Sequence, residues 1–358
     1  MNWLYTLMPI AGIQIFWPGL VLLGFSVGVI GGFFGMGGAW MVTPALNILG
    51  FPMAFAIGTD VTHMAGKSLI STMRHSKFGN VDYQLGLIMV CGTVCGFESG
   101  ARVIMYLERI GQINIVVRWL YVVLLSLIAW MVFADAAKRK RKERAALATG
   151  TKLDTMATGL EWHKKLHKIN IPPIVSFKVS GIRCSAWLPI SVSFCTGLLA
   201  GILGIGGGLI MMPALIYLIG VPTHIAVGTD LFNVAISGLY GAATYSYKGR
   251  VELVAALIML CGAAVGAQIG TVATKYVKGN GIRIFFGFAV VGCGLSIIMK
   301  LLSGIFPTIK PVTDRAATVL IFGVVSAISL YILFSFLNGV RNERAQLKSM
   351  KAYSARAD

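Results

Sequence analysis

The sequence predicts an all-α polytopic membrane protein built from two inverted repeats, and three observations predict it. The 358-residue chain is 56% hydrophobic and only 12% charged, with a mean hydropathy of +0.79, whereas soluble globular proteins carry about 25% charged residues. Apolar runs of roughly 20 residues, long enough to span a bilayer core of about 30 Å, recur along the chain. A glycine-rich pattern also occurs twice, which indicates an internal duplication.

The duplicated pattern begins with a glycine cluster, GGFFGMGGA at 31–39 and GILGIGGGL at 201–209. Each copy is followed by a proline (Pro44, Pro213), then by Gly-Thr-Asp at 58–60 and 228–230. Further on, Gly-Asn-Val-Asp at 79–82 matches Gly-Arg-Val-Glu at 249–252. Irregular backbone within a membrane is tolerated only where it is protected or lines a cavity. We therefore expect each repeat to contain a glycine-broken re-entrant hairpin plus about three transmembrane helices.

Four segments follow from the order of apolar and charged runs. Residues 1–134 form a first membrane repeat, with an interfacial or partly inserted helix expected before residue 17. Residues 135–187 form a basic loop, and residues 188–303 form the second membrane repeat. Residues 304–358 supply one extra C-terminal transmembrane helix and a basic tail. The expected helices cover 18–34, 39–51, 52–73, 83–107, 113–133, 188–203, 208–219, 223–247, 251–277, 282–302 and 316–337.

The net charge of +18 concentrates at 138–178 and 341–356. Basic clusters beside transmembrane helices are typical of cytoplasmic segments, so the charge predicts a multi-pass protein of the cytoplasmic membrane and argues against nucleic acid as a partner. With the central loop and the C-terminus both cytoplasmic, the helix at 113–133 ends inside. Its repeat partner at 282–302 ends outside. The two repeats are thus predicted to have opposite orientations, a recurrent transporter design.

The glycine clusters are the first candidate binding residues, because glycine lets a backbone turn sharply and approach a ligand closely. Helices that restart after the clusters would present free N–H groups and a positive dipole end to a small anion. The alternative is that the glycines only permit tight helix packing. The candidates are Gly35, Gly37 and Gly38 in the first copy, and Gly204, Gly206 and Gly207 in the second.

A charged stripe after Pro52 provides the second group of candidates. Asp60, His63 and Lys67 are spaced for one helix face, and ionisable groups inside a membrane span are functional candidates by default. Lys67 is a candidate for neutralising an anion; its alternatives are an ion pair with Asp60 or snorkelling to the surface. His63 is a proton-exchanging group or a packing residue.

The second repeat carries polar residues on the matching stripe. Asp230 corresponds to Asp60, Asn233 to His63 and Ser237 to Lys67. The two aspartates either take part in binding or cap the amides of the glycine tips. In the next helix of the first repeat, Glu98 and Arg102 lie one turn apart, and a salt bridge is favoured over a gate.

The duplicated Gly-x-Gly-Gly with its proline, Gly-Thr-Asp and Gly-x-Val-Asp/Glu resembles the sulfite exporter (TauE/SafE) family over 19–134 and 189–303. The resemblance implies a transporter of small, often sulfur-containing anions such as sulfite, thiosulfate, sulfoacetate or other organosulfonates. It carries the family's signature positions onto these residues: Gly35, Gly37, Gly38, Pro44, Thr59, Asp60, Gly204, Gly206, Gly207, Pro213, Thr229 and Asp230. The long basic loop and the charged stripe depart from the family's usual pattern.

Together these observations predict a secondary transporter that works by alternating access. The alternatives are an uncoupled anion channel or a transporter of a small carboxylate. Glycine-tip amides and the hydroxyls of Thr59 and Thr229 would cradle the anion, with Lys67 supplying the charge. Asp60, Asp230 and His63 are candidates for coupling to protons. The sequence contains no cofactor fingerprint, metal-ligand cluster or catalytic triad, so an enzyme is not expected. The expected partners are a small anion, the lipid bilayer and protons, with homo-oligomerisation left open.

Overall fold

A computed structural model describes residues 4–34, 39–149, 171–273, 280–306 and 310–354. These residues form a helical protein with two small β-hairpins, and the two halves contain the same kinds of element in the same order. The first half contains β1 (Tyr5–Met8), β2 (Ile13–Phe16), α1 (Trp17–Phe34), α2 (Val42–Ile48), α3 (Met53–Lys77), α4 (Tyr83–Arg109) and α5 (Ile113–Thr149). The second half contains β3 (Ile174–Phe177), β4 (Ile182–Ser185), α6 (Trp187–Leu203), α7 (Gly208–Ala214), α8 (Thr223–Tyr247), α9 (Leu253–Ala273) and α10 (Asn280–Ile305), and α11 (Lys310–Ser354) follows.

The two β-hairpins correct the prediction for the start of each half. The helix expected before residue 17 is an antiparallel hairpin in which Tyr5 pairs with Phe16. The predicted basic loop likewise contains a hairpin in which Ile174 pairs with Ser185. Alternating exposure along these strands is the period-two pattern of a strand. The duplication therefore extends further towards each N-terminus than the sequence motifs indicated.

Two helices continue past their predicted ends. α5 was expected to stop at residue 133 and continues to Thr149 through the basic run at 138–144. α11 was expected over 316–337 and extends from Lys310 to Ser354. Ala, Lys, Arg and Glu are strong helix formers, and no proline follows either apolar run before its helix ends. The single glycine after the second run, Gly339, does not end α11. The end of an apolar run therefore marks where the membrane span can end. The helix itself continues as long as the residues that follow favour helical structure.

Six of the described helices are long and apolar enough to cross a bilayer, which is the multi-pass architecture expected. They are Tyr83–Arg109, Ile113–Lys138, Thr223–Tyr247, Leu253–Ala273, Gly287–Gly304 and Lys310–Glu343. α3 has 25 residues, as α8 has, but its charged stripe lowers its hydropathy. The inverted orientation of the repeats and the re-entrant path of α1–α2 and α6–α7 stay predictions.

Glycine faces join each half to the other. α1 packs on α9, and α6 packs on α4. A Cβ at Gly28 would lie 2.6 Å from the carbonyl oxygen of Ala263, and one at Gly96 would lie 2.2 Å from that of Phe194. Such contacts leave no room for a side chain and are typical of close helix packing in membranes.

α3 and α8 lie side by side and run antiparallel. Near the start of α3, a Cβ at Gly58 would lie 2.2 Å from the carbonyl oxygen of Arg250, just after α8. Near the start of α8, a Cβ at Gly228 would lie 2.1 Å from the carbonyl oxygen of Asn80, just after α3. Their middles therefore meet in the interior, where the polar stripes predicted from the sequence are located.

Candidate functional site

Asp60 is held by the short helix that follows the first glycine cluster. Its Oδ2 accepts hydrogen bonds from the backbone N–H of Thr43 at 3.0 Å and from the Thr43 hydroxyl at 2.8 Å. Asp60 is fully buried. Asp60 therefore caps the backbone amide of Thr43 at the start of α2, whereas the glycine-tip amides at 35–38 lie outside the described residues.

His63 and Lys67 lie on successive turns of the same helix face and are 1% and 2% exposed. His63 Nδ1 is 3.7 Å from Asp60 Oδ1, too long for a hydrogen bond. Lys67 Nζ has no hydrogen-bond partner among the described residues, and no ion pair within 4 Å joins it to Asp60 there. Its burial also excludes snorkelling to the surface. A buried ammonium that lacks a direct ion pair among the described residues is costly, so an anion that enters beside it would be bound favourably.

Lys67 lies on the wall of a cavity between α1, α3, α8 and α9. The cavity has an empty volume of about 530 Å³, which includes its open mouth. Among the described lining residues are three basic side chains, Lys67, Arg74 and His75, and no carboxylate. The described lining residues are Gly31, Gly32, Lys67, Ile70, Ser71, Arg74, His75, Phe78, Leu231, Ala267, Gln268 and Thr271. The cavity is thus suited by charge to an anion.

The matching stripe of the second half is buried and uncharged except at Asp230. Asp230 is 1% exposed, and its Oδ1 has no hydrogen-bond partner among the described residues. The position that corresponds to Thr43 is Met212, which has no side-chain N–H or O–H. Asn233 accepts a hydrogen bond from the Thr93 hydroxyl at 3.1 Å, which ties α8 to α4.

The second glycine cluster adopts the backbone that the sequence predicted. Gly204, Gly206 and Gly207 have φ of +75°, +59° and +83°, the left-handed region that favours glycine. A Cβ at Gly206 would lie 2.0 Å from Met64 Cε on α3, so this turn contacts the interior between α3 and α8. The first-copy candidates Gly35, Gly37 and Gly38 lie outside the described residues.

Thr59 and Thr229 have structural partners that the sequence did not indicate. The backbone N–H of Glu252 donates to Thr59 Oγ1 at 3.0 Å, and that of Asp82 donates to Thr229 Oγ1 at 3.0 Å. Each bond joins one half to the other, and we name the pair the inter-repeat lock. The signal that could have revealed it is the joint duplication of Gly-Thr-Asp and Gly-x-Val-Asp/Glu.

The same two acidic residues hold the turns of the β-hairpins. Glu252 Oε2 accepts from the backbone N–H groups of Ile10 and Ala11 at 2.8 and 3.0 Å. Asp82 Oδ2 accepts from the N–H and the hydroxyl of Ser180 at 3.0 and 2.6 Å. Each hairpin is therefore attached to the opposite half of the molecule.

The salt bridge favoured for Glu98 and Arg102 is confirmed, with Arg102 Nε at 2.9 Å from Glu98 Oε1. The described residues contain no group of three His, Cys, Asp or Glu side chains that could hold a metal ion. The cavity at Lys67, with His63 one turn away and Asp60 two turns away on the same helix, is therefore the candidate site.

Comparison with known proteins agrees with this architecture. The family model described as "Sulfite exporter TauE/SafE" matches residues 20–297. The chain is 26% identical over 297 residues to the probable membrane transporter protein YunE of Bacillus subtilis, covering 80% of this chain and 98% of YunE. It is 25% identical over 298 residues to a probable membrane transporter protein of Methanocaldococcus jannaschii, covering 79% and 95% of the two chains. No solved structure matches. The chain belongs to the sulfite exporter TauE/SafE family and is a multi-pass membrane transporter rather than an enzyme.

Proposed function

We propose that this transporter moves a small sulfur-containing oxyanion or organosulfonate, such as sulfite, thiosulfate or sulfoacetate, across the cytoplasmic membrane by alternating access. The observation that carries the proposal is the buried, unpaired ammonium of Lys67 on the wall of a cavity lined by basic and neutral side chains. Family membership supports the sulfur chemistry of the cargo. Export is the proposed direction.

Lys67 provides the charge for the bound anion in this proposal. A fixed cation in a site of low dielectric interacts with an anion more strongly than the same cation does in water. Gly206 and Gly207 supply the turn beside the site. Thr59 and Thr229 hold the two halves together through the inter-repeat lock, so we assign the binding role primarily to Lys67.

Coupling to protons is the proposed source of energy. Asp60, His63 and Asp230 are buried in or near the α3–α8 interior. Uptake of a proton there removes the cost of a buried charge at either aspartate, whereas at His63 it creates a positive charge. Asp230 has no counterpart of the Thr43 hydroxyl that donates a hydrogen bond to Asp60. We therefore assign proton uptake to Asp230 before Asp60. The central loop and the C-terminus are placed in the cytoplasm because their basic runs follow the positive-inside rule.

A binding experiment tests the cargo and the residue together. Detergent-purified wild type, Lys67→Gln and the control Lys77→Gln are melted with thiosulfate, sulfite, sulfoacetate, acetate or chloride. Lys77 is exposed on the same helix, so its substitution removes an equal charge away from the cavity. A ligand at a hundred times its dissociation constant stabilises the folded protein by about 2.7 kcal/mol.

We expect a sulfur oxyanion to raise the melting temperature of wild type and Lys77→Gln but not of Lys67→Gln. Stabilisation by acetate alone would indicate that the cargo is a carboxylate. No response to any of the anions would contradict the proposal. In proteoliposomes, saturable flux that depends on a pH gradient is expected. Flux that is linear in anion concentration and independent of pH would instead indicate an uncoupled channel.

A further inference from the structure

The cavity at Lys67 has a counterpart surface in the other half of the molecule, and that surface is closed. Shifting the cavity's lining residues by 170 positions places Gln268 on Glu98, Ile70 on Tyr240 and Phe78 on Lys248. The first member of each pair lines the open cavity, and the second members contact one another. We name the surface around Glu98, Tyr240 and Lys248 the closed vestibule.

Three polar contacts converge on Glu98 at the rim of the closed vestibule. Arg102 Nε donates to Glu98 Oε1 at 2.9 Å, within α4. Tyr240 on α8 donates its hydroxyl to Glu98 Oε2 at 3.1 Å, and Lys248 Nζ lies 3.9 Å from the same oxygen. The carboxylate thereby joins α4 to the C-terminal end of α8.

Deeper inside, aromatic side chains fill the space that is empty in the other half. The Tyr245 hydroxyl donates to the Gly201 carbonyl oxygen at 2.7 Å, and the rings of Tyr245 and Phe97 pack edge to face at 6.0 Å. At the matching positions, His75, Gly31 and Ala267 line the open cavity.

We propose that the closed vestibule is the second mouth of the transport path, and that the contacts of Glu98 keep it shut in the conformation seen here. The inference rests on the proposed function only in that the protein moves a solute. If access alternates, the vestibule must open as the cavity at Lys67 closes, because two packings of the same helix pair exclude each other. The bonds from Glu98 to Tyr240 and Lys248 must break in that transition.

Reporter cysteines test this without any knowledge of the cargo. Ser237, the counterpart of Lys67, is 4% exposed behind the closed vestibule, and Ser71 lines the open cavity. Ser237→Cys and Ser71→Cys are each reacted in purified protein with a small charged maleimide. Peptide mass spectrometry reads each site separately, so the six native cysteines can stay. Each reporter is combined with Glu98→Gln or with the control Glu108→Gln.

Glu108 is a matched control because it also lies on α4 and, among the described residues, forms an ion pair with Arg250, whose Nε lies 3.0 Å from Glu108 Oε2. We expect Ser237→Cys to react more slowly than Ser71→Cys in the otherwise wild-type chain. Weakening a partly exposed ion-pair network shifts a two-state equilibrium by roughly 1.5- to fivefold. Glu98→Gln should therefore speed labelling at 237 by that factor and slow labelling at 71, whereas Glu108→Gln should change neither.

Three results would overturn the proposal. Unchanged labelling at 237 in Glu98→Gln would mean that the vestibule is a permanent contact. An increase at both reporters would mean general loosening, and an equal increase in Glu108→Gln would mean that Glu98 has no special role. All three are independent of the anion that stabilises the protein, so failure here and failure of the Lys67 experiment can be told apart.

Discussion

Alanine at Gly58 or Gly228 should destabilise the protein more than alanine at any open glycine, because each of these two positions lies in a close backbone contact between the halves. A Cβ would lie 2.2 Å from the Arg250 carbonyl oxygen in the first case and 2.1 Å from the Asn80 carbonyl oxygen in the second. Ordinary contacts of a Cβ begin near 3.4 Å, so the backbones would have to separate by about 1 Å. Neither neighbouring atom belongs to a flexible side chain.

The net effect is the difference between two opposing terms. Alanine is better than glycine in a helix interior by up to about 1 kcal/mol. Overpacking a tight contact costs typically 1–3 kcal/mol, occasionally more, and moving backbone belongs at the upper end. Separation would also lengthen the neighbouring bond of the inter-repeat lock, from Thr59 or Thr229. We expect a net loss of roughly 1–3 kcal/mol at each position.

The assay is thermal unfolding of detergent-purified protein, with Gly304→Ala as the control. A Cβ at Gly304 would meet no atom within 4 Å, so only the gain in helix propensity remains there and the melting temperature should stay equal or rise. Gly58→Ala and Gly228→Ala should each melt several degrees lower than wild type. If either melted at or above the wild-type temperature, the close approach of the two halves would be refuted at that site.

Two further predictions concern the lock and the hairpins. Thr59→Val keeps the side-chain shape but leaves the buried N–H of Glu252 without its acceptor, a loss of about 1–3 kcal/mol, whereas Thr59→Ser keeps the hydroxyl. The valine variant should melt below the serine variant, and equal melting would contradict the assignment. Glu252→Ala should speed hydrogen exchange of the Ile10 and Ala11 amides, because both lose their acceptor. Unchanged exchange there would mean that the hairpin turn is held by other contacts.

The sequence predicted most helices because apolar runs and their breaks are local signals. It predicted the break at 204–207 because only glycine accepts that backbone readily. The hairpins were missed because strands of four residues carry little hydrophobic signal. Extending the repeat comparison to Ala11-Gly12-Ile13 and Ser180-Gly181-Ile182 would have revealed them. The continuation of α5 through its basic run was not predicted, because the end of the apolar run does not coincide with the end of the helix.

The candidate site was predictable to the level of residue type but not of partner. Asp60, His63 and Lys67 were identified as an intramembrane stripe, and the spacing alone placed them on one face. The spacing could not show that Thr43 donates hydrogen bonds to Asp60 whereas Lys67 has no such partner among the described residues. Thr43 lies on a separate helix, and its distance from α3 depends on the fold. For the same reason, the roles of Thr59 and Thr229 in joining the halves were invisible in either repeat alone.

The duplication separates what the two halves share from what only one of them has. The lock, the hairpin contacts and the glycine faces occur in both halves, so the framework around α3 and α8 is the same on either side. The centre differs, because Lys67 corresponds to Ser237 and His63 to Asn233. A shared framework permits two equivalent packings, which alternating access requires. Under the proposed function, the lysine on this stripe would provide one anion site that both packings can reach, whereas a second lysine at 237 would place two like charges in the same interior.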